Sequence, residues 1–125
     1  MRKQYHFKPS LNGYYAWDVD RLIQMSRDLP IFEVEISQVS EWNEPYWYGN
    51  GTIPTCRSVV DHMKLIEQCS LDFPIILSAQ NSVMDGMHRV GKAYLEGLSS
   101  LAAVRFLHTP EPDFTDVYPD QLPYE

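Results

Sequence analysis

Val83-Met84-Asp85-Gly86-Met87-His88-Arg89 is the stretch on which the reading of the whole chain turns. Two strand-type residues run directly into an acid, a glycine and a basic pair. A helix follows at once, from about Met87 to Glu96, with Gly97 as its stop. The first turn of a helix presents free N–H groups and the positive end of the helix dipole. Gly86 lets a ligand approach the backbone, Arg89 can grip a phosphate or carboxylate through two hydrogen bonds, and His88 can donate or carry a proton near neutral pH. The turn therefore favours an anion. Each residue also has a plainer reading: Asp85 as the helix cap, His88 as a satisfied core or capping histidine, Arg89 as one half of a surface ion pair.

Working outward, Phe73-Pro74-Ile75-Ile76-Leu77 is a short apolar run of buried-strand type. The turn formers Ala79-Gln80-Asn81-Ser82 then lead into Val83-Met84, which together predict a hairpin. Beyond the helix, Ala102 to Phe106 reads as a last strand. Upstream, Val19, Leu22, Ile23 and Ser26 recur at helical spacing until Pro30 forbids continuation, and Phe32, Val34 and Ile36 alternate with Glu33 and Glu35 as a half-buried strand. A further helix follows Pro54, capped by Thr55 or Ser58, with Val59, Met63 and Ile66 on one face and its end near Cys69 or Ser70. The class is α+β, a short mixed sheet with about three helices.

Three stretches lie outside these periodicities. Residues 40–54 are rich in aromatic, Gly, Asn and Pro residues and form a long loop. Such a loop is either the lid or wall of a site or is simply packed down by its aromatics. Residues 1–15 give no clear period and read as an extended arm laid over the domain. Residues 109–125 mix Pro110, Pro112, Pro119 and Pro123 with acids and read as an extended or disordered tail, leaving a domain of 1–108 with its core in 31–107.

The 125 residues suffice for one core, and the 44% apolar residues fall in short runs with no bilayer-spanning or signal-peptide stretch. The expectation is one cytoplasmic domain with no membrane partner. Cys56 and Cys69 stand at the two ends of a predicted helix, roughly 20 Å apart, and are expected to be free thiols acting as small buried hydrophobes. A formal charge of −7 argues against nucleic acid, yet five of the 17 acids lie in 109–125, so the rest of the chain is close to neutral. Arg2, Lys3, His6 and Lys8 form a small basic arm that could touch DNA.

From Ile31 to about Leu107, the order of elements around Asp85-Gly86-Met87-His88-Arg89 resembles the ParB/sulfiredoxin-like superfamily, over roughly three fifths of the chain. The resemblance implies a nucleotide such as ATP, ADP or CTP, its phosphates held by Asp85, Gly86, Met87, His88 and Arg89. Sulfiredoxins place a catalytic cysteine where Met87 stands, and a thioether cannot become a thiolate nucleophile, so that activity is excluded. ParB partition proteins carry further DNA-reading and dimerisation domains. The free-serine kinases are similar in an Asp-Gly-His-His-Arg box and use a glutamate in the loop after the first strand as base. Glu41 and Glu44 lie in that loop here, with Glu44 nearer the expected offset, although a solvated loop acid is its plainer reading.

The resemblance thus implies a nucleotide-binding protein, a phosphotransferase or nucleotide hydrolase, with Glu44 as base and His88 positioning or protonating. Magnesium would offset the phosphate charge, with Asp85 or a loop acid as ligand. A non-enzymatic DNA- or protein-binding module of a partition, phage or plasmid-maintenance system is the other reading. No carboxylate cluster at metal-ligand spacing supports a nuclease.

Overall fold

Alternation of apolar side chains builds the central sheet of the computed structural model, which describes residues 3–49 and 51–125. In β4 (Ile75–Leu77), Ile75 and Leu77 enter one core and Ile76 the other. In β5 (Val83–Asp85), Val83 and Met84 divide the same way, as do Leu101 with Ala103 and Val104 in β6 (Ser100–Arg105). Strands buried on both faces need cover on both. β3 (Phe32–Glu35) is an edge strand, Glu33 and Glu35 being exposed. The order is β3-β6-β4-β5, with β4 and β6 parallel and the other neighbours antiparallel, which is the mixed sheet of an α+β fold.

One face is covered by α3 (Met87–Leu95) and by the loop after β3, whose Trp42, Tyr46 and Trp47 pack on that core. The other is covered by α1 (Val19–Ser26), through Leu22, and by Trp17. The third helix, α2 (Cys56–Gln68), lies against α3, where Lys92 Nζ donates to the carbonyls of Glu67 and Cys69 at 3.0 and 2.6 Å. Those are orphan groups at the end of α2, so one side chain both caps that helix and ties it to its neighbour. At the other end Thr55 is the cap, and Ser58 returns the bond as its capping-box partner.

α2 departs from expectation in its burial. Only Ile66 is buried, while Val59 and Met63 stay exposed, because α2 packs principally on α3. Cys56, at its first position, is exposed and not a buried hydrophobe, and Cys69 is half-buried. Both are free thiols.

The two chain ends differ most from the sequence reading. Where an extended arm was expected, β1 (Tyr5–Ser10) and β2 (Gly13–Asp18) form an antiparallel hairpin. Of the two readings of 109–125, extended or disordered, the chain is extended, and β7 (Phe114–Val117) pairs with the other edge of β2. Two of its acids are hydrogen-bond acceptors. Asp113 accepts from the Asp18 N–H at 2.8 Å and pairs with Arg21 at 2.9 Å, and Asp116 accepts from Ser10 and Asn12. The Trp17 indole N–H donates to Pro110 O at 2.8 Å, and Leu122 is buried. Gly13 is fixed by this closeness, because a Cβ there would lie 2.9 Å from Val117 O. Among the described residues no helix is long and apolar enough to cross a membrane.

A chain ending at His108 would lose a strand, the Trp17 hydrogen bond and the Leu122 contact. It is expected to be destabilised by on the order of 5 kcal/mol, most of the stability of a small domain. Urea denaturation checks this; a midpoint equal to that of the full chain would show the segment to be dispensable.

Candidate functional site

β5 delivers Asp85 to the mouth of the sheet, and Gly86 turns the chain into α3 with φ +110°. A Cβ at Gly86 would meet Ile75 Cγ2 at 2.7 Å and Arg89 Nη2 at 2.8 Å, so the position admits glycine alone. Arg89 folds back beneath the turn. Its Nη2 donates to Asp85 Oδ2 at 3.1 Å and to Pro74 O at 3.3 Å, and both charged side chains are largely buried, at 16% and 19% exposure. Its Nε is buried with no acceptor among the described residues.

The expected roles change accordingly. Asp85 is not the helix cap, because α3 has no side-chain cap and the carboxylate is turned to Arg89. The Arg89 and Val90 N–H groups both return to Gly86 O, at 2.9 and 3.2 Å, leaving the Met87 and His88 N–H groups as donors of the helix start with no acceptor among the described residues. Met87 can contribute only that N–H, since its side chain is buried in the core. Arg89 is less an open phosphate clamp than a strut.

Two clefts of about 350 and 730 Å³ meet over this turn and share Asp85, Gly86 and His88 on one wall and Gln4, Tyr5 and Phe7 on the other. The second wall is β1. Tyr46, Trp47 and Met87 belong to the smaller cleft, Lys3, Leu65 and Arg89 to the larger. Trp47 lies almost parallel to the His62 and His88 rings, with centroids at 4.5 and 4.7 Å, and the two imidazoles meet through His62 Nδ1 and His88 Nε2, 2.9 Å apart. Burial lowers the His88 pKa to about 4, helped by His62 and Arg89 and opposed by Asp85. Burial also lowers His62, against Asp61, and takes His6 down to about 4 with a further contribution from Lys8.

Glu44 is not brought to this place. It is exposed and lines neither cleft, because the loop is anchored on either side of it. Glu41 Oε2 accepts from the Val83 N–H at 2.9 Å, and the Tyr46 hydroxyl donates to Val83 O at 3.0 Å. Glu41 is therefore a loop anchor. No group of three or more His, Cys, Asp or Glu residues among the described residues could hold a metal ion, and Asp85, the expected magnesium ligand, has its charge matched by Arg89. The basic arm is muted in part: Lys3 pairs with Asp18 and Asp20 at 2.8 and 3.6 Å and His6 is held neutral, while Lys8 is exposed and Arg2 lies outside the described residues.

Sequence reasoning missed His62 and the β1 wall. His62 stands four residues before the buried Ile66, on the inward face of α2, and Asn12-Gly13 between aromatic stretches is a hairpin signal. Trp47 was within reach as part of the aromatic loop. The chain matches no family model, no curated protein and no solved structure.

The buried histidines make stability depend on pH. A folded-state pKa below the unfolded value means that the unfolded chain binds more protons, so the contribution is complete above pH 6.5 and fades as pH falls towards about 4. His6 alone should remove about 2 kcal/mol between pH 7 and pH 5. Denaturation of the parent and of His6→Phe at the two pH values checks this: the drop should shrink in the variant.

Proposed function

We propose that the chain binds a nucleotide, with a phosphate on the Met87 and His88 N–H groups and the rest of the ligand in the joined clefts between α3 and β1. The observation that carries this reading is the uncapped start of α3. Two backbone donors and the positive end of a helix dipole belong to residues that line a cleft, at a turn that Gly86 lets close over Ile75 and Arg89. The cleft volumes suit a ligand of nucleotide size. Tyr5, Phe7 and Trp47 offer aromatic surface for a base.

The orphaned Arg89 Nε is a second fit, since a ligand oxygen or a bridging water would satisfy it after a small shift of the guanidinium. His88 is the group with chemistry to offer, a neutral imidazole at the edge of the phosphate position, suited to transfer of a phosphoryl group or to its hydrolysis. Magnesium would arrive with the phosphates, because the described residues provide no cage of carboxylates for it. The DNA-binding reading has weaker support, since of the cations it would use Lys3 is paired and His6 neutral, which leaves Lys8 as the exposed cation among the described residues of the arm.

The test is a titration of the ¹⁵N-labelled protein with ADP, ATP and CTP, each with and without magnesium. One nucleotide should move the amide signals of Gly86, Met87 and His88 and the indole signal of Trp47. His88→Ala keeps its backbone N–H and should leave that affinity within about threefold, a change of about 0.7 kcal/mol at most. Arg89→Ala is the wrong probe, because it strands Asp85 in a buried place and reads folding before binding. Signals at residues 86–88 that stay still at millimolar nucleotide would remove this assignment.

A further inference from the structure

His62 comes from α2 and His88 from α3, 26 residues apart in the chain, yet their ring nitrogens lie 2.9 Å apart. Two imidazoles at that distance share one proton, one nitrogen donating and the other accepting. Their rings lie within 24° of parallel, and Trp47 covers both, at 20° to His62 and 12° to His88. This fixes which atoms remain. His88 Nε2 is taken by His62, so Nδ1 is the nitrogen that His88 keeps for the cleft, and His88 lines both clefts while His62 lines neither.

We infer that His62 and His88 act as one proton-carrying unit, in which His88 Nδ1 exchanges a proton with a hydroxyl or water in the cleft and His62 takes up the proton displaced from Nε2. When a ligand hydroxyl or water is deprotonated, its O–H bond breaks and an N–H bond forms at His88 Nδ1. The Nε2–H bond of His88 breaks in turn and an N–H bond forms at His62 Nδ1. His88 ends neutral in its other tautomer, the positive charge resides on His62, and the electron pair left on oxygen is free to attack phosphorus. The reverse sequence protonates a leaving oxygen. His62 is thus a positioning residue that fixes the tautomer of His88 and moves charge away from the ligand.

The surroundings agree with this division. Asp61 on α2 stands on the His62 side and favours its charged form, whereas Arg89 on α3 disfavours charge on His88 and is only partly offset by Asp85 at the end of β5. His6 and Tyr46, on the opposite wall of the smaller cleft, are both held neutral near pH 7, and Lys3 in the larger cleft is paired with Asp18 and Asp20. Charge on the pair is therefore better placed at His62.

The identity of the proton donor rests on the nucleotide reading, but the coupling of the two rings does not, and the test needs no ligand. Long-range ¹H–¹⁵N spectra of the imidazole nitrogens, recorded from about pH 4 to 8, report tautomer and midpoint for each ring. In the parent protein the two rings should titrate as a linked pair, with one shared proton between His62 Nδ1 and His88 Nε2. In His62→Phe, which keeps a ring against Trp47, His88 should titrate alone with its midpoint raised by about half a unit or more, because a neighbour that opposes its charge has gone. His62→Gln, which keeps a hydrogen-bonding end, should restore the parent tautomer without restoring the second titration, and it carries the test if the phenylalanine variant does not fold. Two parent rings that titrate independently, or a His88 midpoint unchanged in both variants, would overturn the inference. A failed nucleotide titration would instead remove the ligand and leave these spectra as they are.

Discussion

Arg89 lying folded beneath Gly86 is the arrangement on which the turn depends. The guanidinium and the Asp85 carboxylate are both drawn out of water, which is tolerable only while they face each other at 3.1 Å with Pro74 O as a further acceptor. Three consequences follow from this one pair. The space where a residue-86 side chain would go is filled from below, so the backbone must be glycine. The carboxylate that would ordinarily cap the helix is turned away from it, so the first N–H groups of α3 stay open. And the basic residue that looks free to clamp an anion is committed to the interior, with Nε still in want of a partner. A residue that stabilises the turn thereby leaves the anion-attracting part of that turn to the backbone.

The opposite wall of the cleft comes from the beginning of the chain and is held there by its end. β1 contributes Tyr5, His6 and Phe7, the Lys3 N–H donates to Tyr124 O at 3.1 Å, and the Tyr5 hydroxyl donates to Pro123 O. Rings along this seam meet edge to face, Tyr5 against both Phe114 and Tyr124. The site is therefore assembled from four separate stretches: the turn after β5, the aromatic loop, the inward face of α2, and the hairpin with its C-terminal strap. None of the last three has its place without the sheet that carries the turn.

This assembly explains what could be read from the sequence and what could not. The helices, the central strands and the turn at 85–89 carry their own periodicities and stop signals, so local physics was enough to find them. The hairpin pairs locally and had its signal in Asn12-Gly13, but β7 is held by pairing across about a hundred residues of chain, and a segment of prolines and acids gives no local sign of the strand that it joins. Glu44 illustrates the same limit from the other side. Its offset in the loop suggested a base, but the loop's path is set by Glu41 on the Val83 N–H and by Tyr46 on Val83 O, contacts that no spacing rule contains. His62 was hidden for an equivalent reason: one histidine on an amphipathic helix has no meaning until the helix facing it supplies a second.

The charge balance of the cleft narrows what it can hold. Arg89 is matched by Asp85, Lys3 by Asp18 and Asp20, and the histidines are held neutral near pH 7, so the site has donors and dipoles but little net positive charge. A polyanion such as DNA is bound chiefly by uncompensated cations that displace its counterions, and this surface, on a chain of charge −7, offers few. A compact anion is different, because two aligned N–H groups at a helix start act at hydrogen-bond distance and are poorly screened once water is excluded. Neutral imidazoles fit the same balance. Charged at rest, they would repel each other and Arg89, whereas uncharged they can take up a proton once an anion arrives to offset it. On the proposed reading, the missing cationic charge is what leaves His88 and His62 free to carry a proton rather than to bind the phosphate.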